Sequence, residues 1–298
     1  MRKALLIFNP HAGLGRFSSS LPQVVDIITK AGFLVTTYPT QDRGDAKAKI
    51  IELGQQFDRI IVAGGDGMFH EALNGFMKLE VKPDLGFIPS GTANDFANSH
   101  NIPKQIAKAA EIAAGENRGT TDIGLFNGMF FSYVAAFGAI TDIPYKTNQN
   151  AKNTFGFLAY VASALKYMDP KVLMDSCRHM EIETDNGSFT GDFLVCYVSN
   201  SKSIGSLKQL VPKDVVLDDG LLEGVLIRRP DNFAEMSNAI DLLVSGNMNA
   251  ENIITVKSSR FSFRTDSPTT WTLDGEDGGT YTDVNICVCK KELTMLLP

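Results

Sequence analysis

The chain has 298 residues, 44% of them hydrophobic and 21% charged, with a formal charge of -6 and an isoelectric point near 5.3. That composition is the one of an ordinary globular protein, long enough for a substantial core and more naturally two domains than one. Its acidic balance excludes broad nucleic-acid binding driven by phosphate neutralisation.

Residues 4–9 read as a first strand rather than as a secretion signal, because the apolar run is short and lacks a small-residue cleavage site, so a cytosolic protein is expected. The turn that follows, Asn9-Pro10-His11-Ala12-Gly13-Leu14-Gly15-Arg16, has a partial dinucleotide fingerprint. It lacks the third glycine, and Thr40 stands where an acidic residue would close the second strand, which disfavours a dinucleotide oxidoreductase. Helix and strand signals then alternate: a helix over 21–31, a strand over 34–38, a helix over 45–57 and a strand over 59–63. The run Ile60-Ile61-Val62-Ala63-Gly64-Gly65-Asp66-Gly67 breaks into a helical stretch over 68–79. Glycines 64, 65 and 67 let the main chain approach an anion, and Asp66 offers a carboxylate to a metal or a nucleotide. A second such turn follows the strand 85–88, where Ser90-Gly91-Thr92-Ala93-Asn94-Asp95-Phe96 opens another helix from 93 onward. In a parallel sheet both turns would face one strand-end crevice.

After about residue 125 the texture changes to short strand-like runs at 129–136, 180–184, 193–199, 222–228, 252–256, 260–264, 271–273 and 284–288, as in an antiparallel sandwich or barrel. The expected fold is therefore α/β plus β: a parallel-sheet nucleotide-binding domain over 1–127, to which 290–298 returns, and an antiparallel β-sandwich domain over 128–289, with the active site in the cleft between them. Helical stretches at 155–168 and 233–244 interrupt the second domain, and the apolar run 154–168 is too short to span a bilayer and carries Lys166. It reads as a core helix, with a lipid-facing surface as the alternative. Cys177, Cys196, Cys287 and Cys289 lack zinc-site spacing, and Cys287 and Cys289 are expected on one buried strand face.

Leu273-Asp274-Gly275-Glu276-Asp277 gathers carboxylates in one turn, either a general base with a supporting acid or a solvated acidic turn. Asp218-Asp219-Gly220 is a divalent-cation loop or merely a turn, and spacing leaves both cases open. No Gly-x-x-x-x-Gly-Lys-Ser/Thr is present, and no histidine is placed with a serine or cysteine as a nucleophile pair.

Taken in order, Asn-Pro-x-Ala-Gly-x-Gly at 9–15, Gly-Gly-Asp-Gly at 64–67 with Glu71, Asn74 and Gly75 behind it, Gly-Thr-x-Asn-Asp-Phe-Ala at 91–97, Asp-Gly at 219–220 and Leu-Asp-Gly-Glu at 273–276 resemble the soluble bacterial lipid kinases of the diacylglycerol kinase type. The resemblance implies ATP and Mg²⁺ as cofactors and phosphorylation of a hydroxyl on diacylglycerol or a similar lipid. Nucleotide contacts would map to Asn9, Pro10, His11, Ala12, Gly13, Thr40, Gly65, Asp66, Gly67, Met68, Phe69, His70, Glu71 and Thr92, with Gly64, Asn94 and Asp95 completing the two turns. Glu276 would be the base supported by Asp274, and a structural Mg²⁺ would sit on Asp219 and the carbonyls of Val216 and Leu221. The same resemblance implies a membrane-resident lipid partner, transient attachment at the inner membrane surface, no nucleic acid, and a homodimer. One departure stands out: Met68 occupies the position where the family's loop carries threonine, and His70 one where asparagine is frequent. A methionine donates no hydrogen bond, so a weakened nucleotide- or lipid-binding regulator is the alternative in a different class, and a kinase of a soluble substrate such as NAD is the enzymatic one.

Overall fold

In the computed structural model the described residues are 1–11, 15–138, 170–206, 208–232, 234–235 and 251–298. Ala12, Gly13, the segment 155–168 and nearly all of 233–244 lie outside them. The chain forms two compact units, Met1–Thr121 with Glu292–Pro298, and Asp122–Lys291.

The first unit runs β1 (Arg2–Phe8), α1 (Arg16–Lys30), β2 (Phe33–Pro39), α2 (Asp45–Leu53), β3 (Arg59–Gly64), α3 (Asp66–Phe76), β4 (Asp84–Pro89), α4 (Asp95–Ser99) and α5 (Ile106–Ala114). Its four strands are parallel in the order β2-β1-β3-β4. Every residue of β3 is buried and β1 is buried from Ala4 to Phe8, the continuous apolar texture of strands covered on both faces; β2, at the edge, is half exposed. The helices match the expected ones with shifted ends. Gly65 is extended, so α3 starts at Asp66 and not at Met68, and it stops at Phe76, three residues short of the expected end. The second expected helix divides into α2 and one 3-10 turn over Gly54–Gln56. Asn94 takes a left-handed conformation and delays α4, which has only five residues.

The strand starts are tied by charge. Arg59, fully buried at the first position of β3, donates to Asp84 Oδ2 at 3.0 Å, directly across the register at the first position of β4. Arg118 Nε donates to the other oxygen of Asp84 at 2.6 Å, and Arg59 also lies 4.5 Å from the Phe33 ring centroid.

The second unit comprises β5 (Arg118–Phe126, entering from the first unit), β6 (Met129–Phe131), β7 (Val134–Gly138), α6 (Pro170–Asp175), β8 (Arg178–Thr184), β9 (Gly187–Ser199), β10 (Leu222–Arg228), β11 (Ile253–Ser258), β12 (Arg260–Leu273) and β13 (Glu276–Leu296). As expected, the second unit is an antiparallel β domain: the described strands form one nine-stranded sheet, β11-β10-β9-β7-β12-β13-β5-β6, with β8 also paired to β9 and β12. β7 and β8 share the slot between β9 and β12: β7 pairs with Val195–Ser199 and Trp271–Leu273, and β8 with Gly187–Phe193 and Phe261–Thr265. The short runs at 260–264 and 271–273 are thus one strand, and that at 284–288 is the middle of β13. Alternate residues feed two cores. Ala135, Phe137, Cys196, Val198, Leu222 and Leu226 join a cluster around Phe261, Phe263 and Trp271, while Val134, Ala136, Val195, Tyr197, Val225 and Ile227 pack with Leu210, Val211 and Val215.

The expectation of buried Cys287 and Cys289 is corrected: Cys287 is exposed and Cys289 half-buried, because in this part of β13 the even positions Val284 and Ile286 are buried and the odd positions Asp283, Asn285 and Cys287 turn outward. Cys196 alone is fully buried, and burial pushes its thiol well above the ordinary value.

Burial alone would raise the Asp84 carboxyl, but the hydrogen bonds from Arg118 and Arg59 outweigh it and hold it below its usual 3.8. A carboxyl lowered by folding contributes stability that is present above the unfolded value and lost as pH falls through the folded one. Asp84→Asn should cost about 3 kcal/mol at pH 7, since it strands the buried Arg59. In urea titrations the gap from the parent chain should narrow steadily below about pH 4.

Candidate functional site

In the first unit the last paired rows, Phe8↔Pro39, Phe8↔Ala63 and Gly64↔Pro89, bring Asn9, Thr40, Gly65 and Ser90 to one edge of the sheet. Three main-chain bonds carry the alignment past the strands: Thr40 N–H to Phe8 O at 2.9 Å, Asn9 N–H to Ala63 O at 3.1 Å and Ser90 N–H to Gly64 O at 2.8 Å. The chain order reverses between β1 and β3, so the loops after these two strands flank the switch-point crevice of an open parallel sheet. Asn9 Oδ1 accepts the His11 N–H at 2.8 Å and shapes the first of them.

The two glycine turns are docked on one another. A side chain added to Gly91 would stand 2.5 Å from Gly65 Cα, and one added to Gly65 would stand 3.2 Å from Gly91 Cα. At Gly91 only hydrogen fits. Asp66 locks the contact, accepting the Asn94 N–H at 2.7 Å and the Phe96 N–H at 3.4 Å. Asn94 grips the Gly91 peptide from both sides, its Oδ1 accepting Gly91 N–H at 2.9 Å and its Nδ2 donating to Gly91 O at 2.7 Å. Beneath them Phe69 stacks on Phe96 with ring centroids 4.2 Å apart and packs on Phe87 at 4.6 Å.

This geometry sorts the sequence-predicted nucleotide residues. Asp66, Asn94 and Asp95 serve the turns themselves: Asp66 spends its side chain across the two loops, Asn94 spends its own on Gly91 within the second turn, and Asp95 is fully buried. Phe69 leaves the set too, since its ring is in the core and its N–H donates to Gly65 O. Asn9, Pro10, Thr40, Gly65, Gly67, Met68, His70 and Glu71 are half-buried, His11 and Thr92 exposed. Gly64 is buried, and any side chain there would collide with Met68, which lies against it.

In the second unit Leu273 pairs with Glu276 across a two-residue hairpin loop in which Asp274 (φ 53°) and Gly275 (φ 81°) are both left-handed, the type I′ pattern that Asp-Gly favours. Asp274 is buried and accepts four hydrogen bonds, from Ser132 N–H (2.7 Å), Ser132 Oγ (3.0 Å), Tyr133 N–H (2.9 Å) and Val134 N–H (3.1 Å). It therefore positions the turn, and half-buried Glu276 opens β13 from that anchored loop.

The 214–221 loop is held by a residue that sequence reasoning missed. Buried Asp122 accepts Gly220 N–H and Lys291 N–H, each at 2.6 Å, and its own N–H donates to Leu217 O at 2.8 Å. Asp219 Oδ1 accepts Leu221 N–H at 2.9 Å, and Val216 is 47% exposed, so the loop's backbone reaches the surface. Among the described residues no three His, Cys, Asp or Glu side chains form a ready metal cluster. The loop nevertheless suits a hard cation. It offers a carboxylate and carbonyls, and Asn200 Oδ1 and both Glu223 oxygens are buried acceptors with no hydrogen-bond donor. Burial pushes the Glu223 carboxyl up to about 7, against the pull of the Lys257 charge, and Asp219 and Asp214 add to the rise. Glu223 was legible as an anomaly: in Leu-Glu-Gly-Val-Leu-Ile a charge stands at a core-facing register position.

The family model described as diacylglycerol kinase catalytic domain matches residues 3–126. A diacylglycerol kinase from Bacillus subtilis (strain 168) is 34% identical over 284 residues, covering 94% of this chain and 91% of the relative. One from Staphylococcus carnosus (strain TM300) is 31% identical over 280 residues, covering 93% and 90%. A crystal structure from Bacillus anthracis str. Sterne, provisionally described as a diacylglycerol kinase, superposes with a TM-score of 0.87 at 26% identity, covering 100% of this chain and 95% of that one.

Gly91→Ala should force the docked turns apart and cost about 1–3 kcal/mol, as overpacking does. Urea unfolding followed by circular dichroism measures it; parent-like stability would show that the turns need no such contact.

Proposed function

Because this chain belongs to the diacylglycerol kinase family and is a lipid kinase of that type, we propose that it transfers the γ-phosphate of ATP to a hydroxyl of diacylglycerol or a similar lipid, giving a phosphatidic acid-type product. The observation that carries the nucleotide half is the docked pair of glycine turns at the switch point, packed at the N-terminal end of α3. Gly65, Gly67 and the start of α3 hold the phosphates, with Asn9, Pro10 and His11 on one side and Thr40, Thr92, His70 and Glu71 around them. Asp66, Asn94 and Asp95 keep the turns in place.

Glu276 accepts the proton of the lipid hydroxyl as its oxygen bonds to the γ-phosphorus; the bond from that phosphorus to the β–γ bridging oxygen breaks, and ADP leaves. Asp274 keeps Glu276 on station through the turn. When bound, Mg²⁺ supplies charge neutralisation for the phosphates, and the loop of Val216, Asp219 and Leu221 holds a second, structural ion. A membrane-resident substrate implies a cytoplasmic protein that visits the inner membrane surface; among the described residues no helix is long and apolar enough to cross a membrane.

Labelled ATP with Mg²⁺ in mixed micelles tests the reading, with each candidate lipid in turn, a lipid-free control and an NAD control. Label in one lipid supports it. Label in NAD, or ATP binding without transfer, replaces it with a soluble-substrate kinase or a silent regulator. Glu276→Gln should lower turnover by about 10²–10⁴-fold while ATP affinity stays near that of the parent. Met68→Thr should restore a phosphate donor and tighten ATP by about 1 kcal/mol, roughly fivefold in Kd by calorimetry.

A further inference from the structure

Glu223 is the second residue of β10 and is fully buried, with neither carboxylate oxygen receiving a hydrogen bond. Its direction follows from the strand. Leu222 and Leu226 join the core cluster of one face, while Val225 and Ile227 face the other, the cluster that contains Val211 and Val215 with Leu217 at its margin. Glu223 shares the face of Val225, so it points beneath the 214–221 loop. Asn200 approaches the same loop. Its Nδ2 donates to Leu217 O at 3.2 Å and to Asp122 O at 2.7 Å, and its Oδ1, also buried, receives nothing.

Lys257 does not satisfy this pocket. Its Nζ stands 3.7 Å from Glu223 Oε1, outside hydrogen-bond range, and is committed to Asp214, donating to that residue's carbonyl at 2.8 Å and meeting its carboxylate at 2.9 Å. Three carboxylates, Asp214, Asp219 and Glu223, act on this one ammonium. One ammonium is thus shared among three carboxylates, and the Asn200 Oδ1 and both Glu223 oxygens receive no hydrogen bond. An all-oxygen donor set of carboxylates, an amide and carbonyls selects a hard divalent cation.

We propose that Glu223, together with Asn200 Oδ1, belongs to the oxygen shell of the divalent cation at the 214–221 loop, directly or through a cation-bound water. The inference rests on the reading that places an ion at Asp219, and it adds a second carboxylate and an amide oxygen to that ion. The loop is thereby tied to β9 and β10 by the cation as well as by Asp122, which makes the ion a part of the second unit's core rather than a passenger of the nucleotide.

The test is calorimetric titration of Mg²⁺, and separately Ca²⁺, into the chelator-treated full-length chain without nucleotide, with thermal unfolding recorded in parallel. The parent chain should bind the ion and unfold at a higher temperature with it. Glu223→Gln keeps the shape of the side chain and should weaken binding by about 10–100-fold. Lys257→Met removes the competing charge and should tighten it severalfold. Parent-like affinity in Glu223→Gln, or unchanged or weaker affinity in Lys257→Met, would show that Glu223 is only the counter-ion of Lys257 and overturn the proposal. Lipid phosphorylation by a parent chain that binds no ion without nucleotide overturns this inference alone. Ion binding that responds to both variants, in a chain that phosphorylates no lipid, sustains it and rejects the lipid-kinase reading.

Discussion

The first unit's candidate site depends on one close approach: the backbones of Gly65 and Gly91 touch, with no room for a side chain on Gly91 and a tight fit for one on Gly65. Two loops that leave adjacent strands would ordinarily splay, because each has its own unpaired N–H groups to hydrate. Here the Asp66 carboxylate takes up the Asn94 and Phe96 N–H groups across the gap, and the Asn94 side chain closes the second turn on Gly91. The first turn of α3 and the second glycine turn therefore move as one body. A phosphate placed on them would meet a preformed surface, and preorganised donors are worth more than donors that must be collected at the time of reaction.

The same device recurs in the second unit. Asp274 gathers three consecutive N–H groups from residues 132–134, and Asp122 gathers those of Gly220 and Lys291. In each case a buried carboxylate is satisfied by main-chain donors far away in sequence, which fixes a turn more rigidly than local hydrogen bonds would. These motif aspartates accordingly act as anchors. Glu276 and Glu71, by contrast, are half-buried. Glu223 breaks the pattern, being buried without donors, and that departure is what points to a cation.

Much of the fold was legible. The strands at 60–63 and 85–88 are runs of apolar residues and glycine ended by glycine or proline, the texture of strands buried on both faces, and their alternation with helices indicates a parallel sheet. Helix ends were less so. The start of α3 depends on the extended Gly65, and the brevity of α4 on a left-handed Asn94, conformations set by docking the turns and invisible to periodicity. The merging of 260–264 and 271–273 into β12 was hidden by Asp266 and Pro268, turn formers that a long strand accommodates where its pairing is interrupted.

The sequence by itself determined the alternation of elements, the glycine turns and the Asp-Gly hairpin before Glu276, because these rest on local φ and ψ preferences and on the period of apolar residues. Only the tertiary structure decided which of the motif residues are spent on the protein's own turns and core. Asp66, Asn94, Asp95 and Phe69 stood in the same motifs as Thr92 and Glu71, and spacing cannot separate them. The separation comes from through-space neighbours: a donor 28 residues away for Asp66, a stacked ring for Phe69, and for Glu223 no donor at all.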